Sequence, residues 1–211
     1  MITRVPLRDE VYRAILDRIY RGELTPASRV RDSDLATQLG VSRTPVREAL
    51  LRLAREGVLD ADMGKGFRVC KLDPAEMRET GTILSMLERL ALQLSPEIAA
   101  ERLARLSEID LELAATRGDV DRCIALDEEW HRTLLEGCPN ARLLAMISTL
   151  WQVPRRYMRA YLRDAGRVSL STQHHARIIE ALRREDRETA LQRFEHHWQR
   201  GIEELGAWIE P

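Results

Sequence analysis

The chain has 211 residues, with 33 Lys and Arg against 34 Asp and Glu and only 5% aromatic residues. That length supports one or two domains with a sizeable core. The most apolar run, residues 83–94, is interrupted by Glu88 and Arg89, so no membrane span fits. Charge is unevenly spread: residues 1–71 carry 14 basic and 10 acidic side chains, and residues 72–211 carry 19 and 24. A net-positive first part joined to a net-negative second suits a nucleic-acid-facing domain on an acidic partner domain. The three cysteines, Cys70, Cys123 and Cys138, are far apart and odd in number. Free thiols in a reducing cytoplasm are the expectation, and residues 1–8 hold no apolar signal core.

In chain order, residues 7–21 form a first helix with Val11, Ile15, Leu16 and Ile19 as its apolar stripe, ended by Gly22. Thr25-Pro26-Ala27-Ser28 is a turn, and Arg29-Val30-Arg31 a short extended piece. Asp32 or Ser33 is expected to cap a second helix carrying Leu35 and Leu39. Gly40 suits the left-handed conformation that ends a helix. Ser42 or Thr44 can cap the next helix, and Pro45 belongs in its first turn, where its missing N–H is not needed. The stretch therefore reads as helix, tight turn, helix. Arg43 and Arg47 lie one turn apart on one side of the second helix, beside Thr44. Two guanidiniums and a hydroxyl at a helix N-terminus suit phosphates and guanine edges in a major groove. An ordinary capped surface helix with two solvated arginines is the plainer alternative, and the flanks decide between them.

Gly57 caps that helix, Val58-Leu59 begins a strand, residues 60–66 turn, and Phe67-Arg68-Val69 returns. A hairpin in that place is a wing, and Gly64, Lys65 and Gly66 let its tip approach a sugar-phosphate backbone. Residues 7–70 thereby resemble the N-terminal winged-helix domain of the GntR family of bacterial transcription regulators. The resemblance is carried by Ile19 to Pro26, by Asp34-Leu35-Ala36, by Glu56-Gly57, and above all by Leu39-Gly40-Val41-Ser42-Arg43-Thr44-Pro45-Val46-Arg47-Glu48-Ala49-Leu50. It implies that Ser42, Arg43, Thr44 and Arg47 contact double-stranded operator DNA while Gly64 and Lys65 brace the wing. Ala27 departs from the family, which mostly has Gly there. Ser33 departs from the members that use an Arg on DNA at that position.

Lys71-Leu72-Asp73-Pro74 is the linker, which places a DNA-binding domain at 1–71 and a second domain at 72–211. No convincing strand follows. About six helices are expected, at 74–93, 96–117, 119–137, 140–164, 169–184 and 187–208, with Pro154 kinking the fourth. The fold class is thus mostly α, a winged helix-turn-helix with a small β-hairpin followed by an all-α bundle. Such a bundle resembles the FCD ligand-binding domain of the FadR subgroup, in its six-helix, VanR-like form.

The bundle holds one chemical constellation. Asp127 and His131 are four residues apart, about 40° around a helix axis. His175 opens a His-x-x-Ile-x-x-Ala-Leu motif, and His197 follows 22 residues later. The resemblance implies that Asp127, His131, His175 and His197 hold a divalent metal, and imidazole with carboxylate suits Zn²⁺, Ni²⁺, Mn²⁺ or Fe²⁺. Partly buried or surface histidines with no ligand role are the plainer alternative. His174 and His196 point about 100° away from their neighbours and are poorer ligands. Trp130 stands where the family has Phe, a larger residue in the pocket wall. Leu84 stands where many members have an Arg, so an effector carboxylate would need another cation. Arg89, Arg155, Arg156 and Arg159 are unranked candidates, with Arg155 and Arg156 expected on a solvated face.

The resulting expectation is a cytoplasmic, homodimeric DNA-binding transcriptional regulator, not an enzyme, with a small organic acid held through the metal. The effector would favour one spacing of the two DNA heads. Two alternatives remain: a metal-dependent hydrolase using the same Asp and His cluster, and a DNA-binding dimer with a purely structural metal. Leu143, Leu144, Ile147 and Leu150 suit either the core or a dimer seam. Neither the operator, the effector nor the direction of regulation is legible.

Overall fold

The computed structural model describes residues 7–55, 57–62, 66–116, 119–165 and 171–209. The chain divides into two compact units, Met1–Leu72 and Asp73–Pro211.

The first unit contains α1 (Leu7–Tyr20), β1 (Arg29–Val30), α2 (Asp32–Leu39), α3 (Arg43–Arg55), β2 (Leu59–Asp62) and β3 (Gly66–Val69). The strands form an antiparallel sheet in the order β1-β3-β2, with Leu59 opposite Val69 and Val30 opposite Phe67. Beside the expected hairpin, the short piece at Arg29 is thus a third strand on β3. Ile15, Leu35, Val46, Leu50, Leu53 and Leu59 are all but fully buried in one core. Burying each such side chain contributes about 1.5–3 kcal/mol. That core clamps α3 from below and leaves its other side to solvent.

The turn between α2 and α3 follows from one glycine. Gly40 has φ 65°, and the N–H groups of Gly40 and Val41 return to the carbonyls of Thr37 and Ala36. This double closure satisfies carbonyls that the helix end leaves open. The start of α2 differs from expectation. Arg31 occupies the N-cap position and makes no side-chain cap, while Asp32 lies inside the first turn, turned toward α3 rather than back onto its own helix. Ala27 adopts φ 63°, a conformation costing an L-residue about 1–2 kcal/mol. Two hydrogen bonds hold it there, from Ala27 N–H to Val69 O at 2.8 Å and from the Arg68 side-chain Nη1 to Ala27 O at 3.0 Å.

The second unit contains α4 (Pro74–Leu94), α5 (Ala100–Ala115), α6 (Val120–Leu135), α7 (Ala141–Leu150), α8 (Gln152–Ala165), α9 (Ser171–Arg183) and α10 (Arg187–Ile209). Asp73, Asp119 and Asn140 cap α4, α6 and α7 through their side chains. The helices pack around Trp130, Tyr157, Phe194, Leu84 and Leu106. Helices α4 and α10 approach closely at Gly81, where an added Cβ would lie 2.6 Å from Ile202 Cγ1.

Two boundaries depart from the sequence reading. The long fourth helix is two helices, broken at Trp151. Proline cannot donate to the carbonyl four residues back and its ring crowds that carbonyl. Pro154 therefore sits in the first turn of α8, where no donor is required, rather than at a kink. Helix α5 begins at Ala100 instead of 96, with Ala99 at ψ 148° as its N-cap, while Ser95, extended at ψ 143° before a proline, ends α4. The open carbonyls of Leu92, Gln93 and Ser95 are taken by Arg187 Nη2, a cation on the negative end of a helix. The breaks expected at Gly118 and Gly166 lie outside the described residues.

Candidate functional site

Two sites are built, one in each unit. In the first, Val46, Ala49, Leu50 and Leu53 anchor α3 in the core. The opposite side presents Ser42, Arg43, Thr44 and Arg47, all exposed. Ser42 immediately precedes the helix, and the other three lie in its first turns. Both arginines are tethered: Arg43 Nη2 donates to Asp32 Oδ1 and Oδ2 at 2.9 and 3.1 Å, and Arg47 Nη1 lies 3.7 Å from Asp32 Oδ2. The sequence reading treated Asp32 only as a cap, since nothing local signals a bond across eleven residues. Gly64 and Lys65 lie outside the described residues.

In the second unit, α6 supplies Asp127 and His131, α9 supplies His175, and α10 supplies His197. One ring nitrogen from each histidine lies within 4.8 Å of the other two. His131 Nε2 and His197 Nε2 are 3.1 Å apart. Two imidazole nitrogens bound to one ion at the usual metal–nitrogen distance would stand about 3.0–3.4 Å apart. Asp127 is buried beside the cluster, its Oδ1 3.8 Å from His175 Nε2.

The outer face of the cluster explains its orientation. His131 Nδ1 donates to Glu88 Oε2 at 2.8 Å, and His175 Nδ1 pairs with Asp110 Oδ1 at 3.1 Å. Each carboxylate engages one ring nitrogen and so turns the other toward the cluster. Glu88 is fully buried on α4 and also accepts from Trp151 Nε1 at 2.7 Å and Trp198 Nε1 at 2.8 Å. His175 Nε2 is buried without a hydrogen-bond partner among the described residues. A buried ring nitrogen left open and aimed at a second imidazole and a carboxylate suits a cation. Three imidazoles with a carboxylate fit the nitrogen and oxygen donor set of a first-row divalent metal.

The electrostatics agree with that donor set. Burial, then the neighbouring imidazoles, hold His175 and His197 well below the usual histidine range. Both rings are thus neutral, the form that binds metal. Burial also opposes charge on His131, but Glu88 outweighs it and the pKa is raised. Burial and the nearby Asp127 push Asp110 up to about 7.

A cavity of about 120 Å³ opens on the cluster. Asp127, His131 and His197 line one part, Met77, Trp151, Met158, Leu162 and Trp198 the apolar walls, and Tyr161, His174, Arg200 and Glu204 the polar remainder. Trp130 is not in that wall. It stacks on His175 at 3.7 Å and 3°, behind the cluster. His174 and His196 face each other at 5.5 Å between ring centroids, and His174 also lies 6.0 Å from the His197 ring, though neither joins the three clustered nitrogens. None of the four arginines considered from sequence lines the cavity. Arg89 pairs with Glu195, Arg155 with Glu128, Arg156 with Glu76 and Arg159 with Asp121. Arg156 is buried rather than solvated, since α4 brings Glu76 onto it. Among the described residues the arginine at the cavity is Arg200, which no sequence motif marked.

The comparisons with known proteins match both units. The profile for bacterial regulatory proteins of the gntR family matches residues 7–69, and the FCD domain profile matches residues 79–200. The HTH-type transcriptional regulator YdhC of Bacillus subtilis (strain 168) is 28% identical over 205 residues, covering 95% of this chain and 92% of that protein. The probable D-xylose utilization operon transcriptional repressor of Paenarthrobacter nicotinovorans is 30% identical over 199 residues, covering 93% of this chain and 87% of its own. Among solved structures, McbR/YncC of E. coli superposes with a TM-score of 0.77 at 26% identity, covering 98% of this chain and all of that one. These are transcriptional regulators and not hydrolases. The chain is therefore a DNA-binding transcriptional regulator belonging to the gntR family, with a C-terminal FCD domain.

Proposed function

We propose that this regulator is a homodimeric repressor whose bundle senses a small organic acid through a divalent metal. The observation that carries this reading is the cluster of His131, His175 and His197, of which His131 and His197 line a cavity inside the bundle. Asp127 and the three histidines would hold the ion, with Glu88 and Asp110 fixing the histidine rings from outside. A bound metal supplies a Lewis-acid anchor for a carboxylate. The chain's own residues do the rest: Trp151, Met158 and Trp198 exclude water, and Arg200 offers a second anionic contact. The adjoining cavity favours a sensing metal over a purely structural one. Repression is supported by the repressor named among the relatives.

On the DNA side, Arg43 and Arg47 read base edges and Ser42 and Thr44 contact phosphates. A helix-turn-helix protein meets two half-sites as a dimer. Helix α4 supports that pairing. Its core side carries Met77, Leu84, Glu88 and Ala91, yet Ile83, Met86, Leu90 and Leu94 form an exposed apolar stripe on the other side. Of the α7 residues considered for core or seam, Leu143 and Ile147 are buried, and Leu144 and Leu150 are half-buried. No described helix is long and apolar enough to cross a membrane.

Metal content of untagged protein purified without chelator tests the sensing half. About one ion per chain, lost in the His175→Ala, His197→Ala variant, is expected. Absence of any ion after incubation with Zn²⁺, Ni²⁺ and Mn²⁺ rejects it. Sedimentation of Leu90→Glu tests the pairing: a monomer is expected, and an unchanged dimer rejects the α4 stripe.

A further inference from the structure

Asp32 is an oddity on a surface meant for a polyanion. Its carboxylate sits beside Arg43 and Arg47, where it repels phosphate and weakens the sequence-independent attraction that the arginines provide. It does not cap α2. Ion pairs with exposed partners contribute little to stability, and both arginine side chains here are 66% exposed. Asp32 itself is only 16% exposed, tucked beneath the two guanidiniums. The arrangement is a fork: one carboxylate at the start of α2 holds two long side chains from successive turns of α3. Only Nη2 of Arg43 is engaged among the described residues, so its Nη1 and Nε donors stay available to acceptors outside.

We propose that Asp32 is a positioning residue that sets DNA sequence specificity. It pre-orients Arg43 and Arg47 for base edges and lowers their affinity for phosphate alone. Reading a guanine edge with two hydrogen bonds requires the guanidinium plane in one orientation. Restricting the rotamers before binding removes an ordering cost from the specific complex. Removing one negative charge from the contact face strengthens binding to every sequence alike. Both consequences follow from the same carboxylate, and together they raise the ratio of specific to non-specific affinity. The inference rests on the reading of Arg43 and Arg47 as base-contacting residues.

The test uses the full chain and duplexes that the wild-type protein selects from a randomised pool, with scrambled duplexes of the same composition as reference. In Asp32→Asn the ratio of selected to scrambled affinity is expected to fall about tenfold. Affinity for scrambled duplex should rise, and the slope against log salt should steepen by about one. Asp32→Glu, which restores the charge, should recover part of the ratio, and both variants should melt like the wild type. A wild-type ratio in Asp32→Asn, with the ratio lost in Arg43→Ala, overturns the inference while leaving the base-reading assignment standing. A wild-type ratio in both Arg43→Ala and Arg47→Ala removes that assignment and this inference with it. Loss of ratio in Asp32→Asn accompanied by a lower melting temperature, with no recovery in Asp32→Glu, makes Asp32 a folding residue and also overturns it.

Discussion

The two candidate sites are built by opposite means. The DNA-facing one is exposed and lies within six consecutive residues, Ser42 to Arg47, on one helix that the core holds from behind. The one in the bundle is buried and assembled from five helices, with Glu88 on α4 and Asp110 on α5 supporting ligand candidates on α6, α9 and α10. Exposed groups keep their hydration and depend little on their neighbours for charge. Buried ones need every polar atom answered. The first site should therefore tolerate substitution without loss of fold, and the second should not.

The largest expected break in that comparison is Glu88→Ala. It leaves His131 Nδ1, Trp151 Nε1 and Trp198 Nε1 buried without their acceptor. Denaturant unfolding should show a loss of about 3–5 kcal/mol, and a loss under one would mean that the network is not worth its burial. Metal sharpens the same contrast. At a hundredfold excess over its dissociation constant, a bound ion should add about 2.7 kcal/mol of stability. Melting with and without chelator measures this, and His175→Ala should abolish the difference. Arg43→Ala and Arg47→Ala should each cost about 1–3 kcal/mol of specific DNA binding, with melting unchanged. A drop in melting temperature would place these arginines among the structural residues after all. The smallest effect is expected at Ala27, whose φ of 63° is strained for alanine. Ala27→Gly should raise stability by about 0.5 kcal/mol, the relief of strain exceeding the added freedom of the unfolded chain.

Legibility divided along the same line. The contiguous stretch from Leu35 to Leu50 carried its own turn chemistry, apolar spacing and exposed cations, so local rules reached it. Gly40 and Gly57 take the positive φ values that their positions called for. In the bundle, resemblance singled out three histidines that the fold brings within reach of one another. Their supporting carboxylates went unmarked in that role: Asp110 carries no motif, and Glu88 was noticed only as a break in an apolar run. The apolar stripe at Ile83, Met86, Leu90 and Leu94 was equally hidden, because α4 is apolar on two sides and spacing alone does not say which side the core takes.

What the amino-acid sequence determined by itself is what short-range sterics and periodicity control: the helix-turn-helix, the wing's two strands and the Asp73 cap of α4. Tertiary structure alone decided which charges meet. Asp32 on Arg43, Arg187 on the end of α4, Arg156 on Glu76 and Trp130 on His175 all join residues from different elements. Their pairing depends on where packed helices bring side chains together, and burial then makes each such meeting strong or costly.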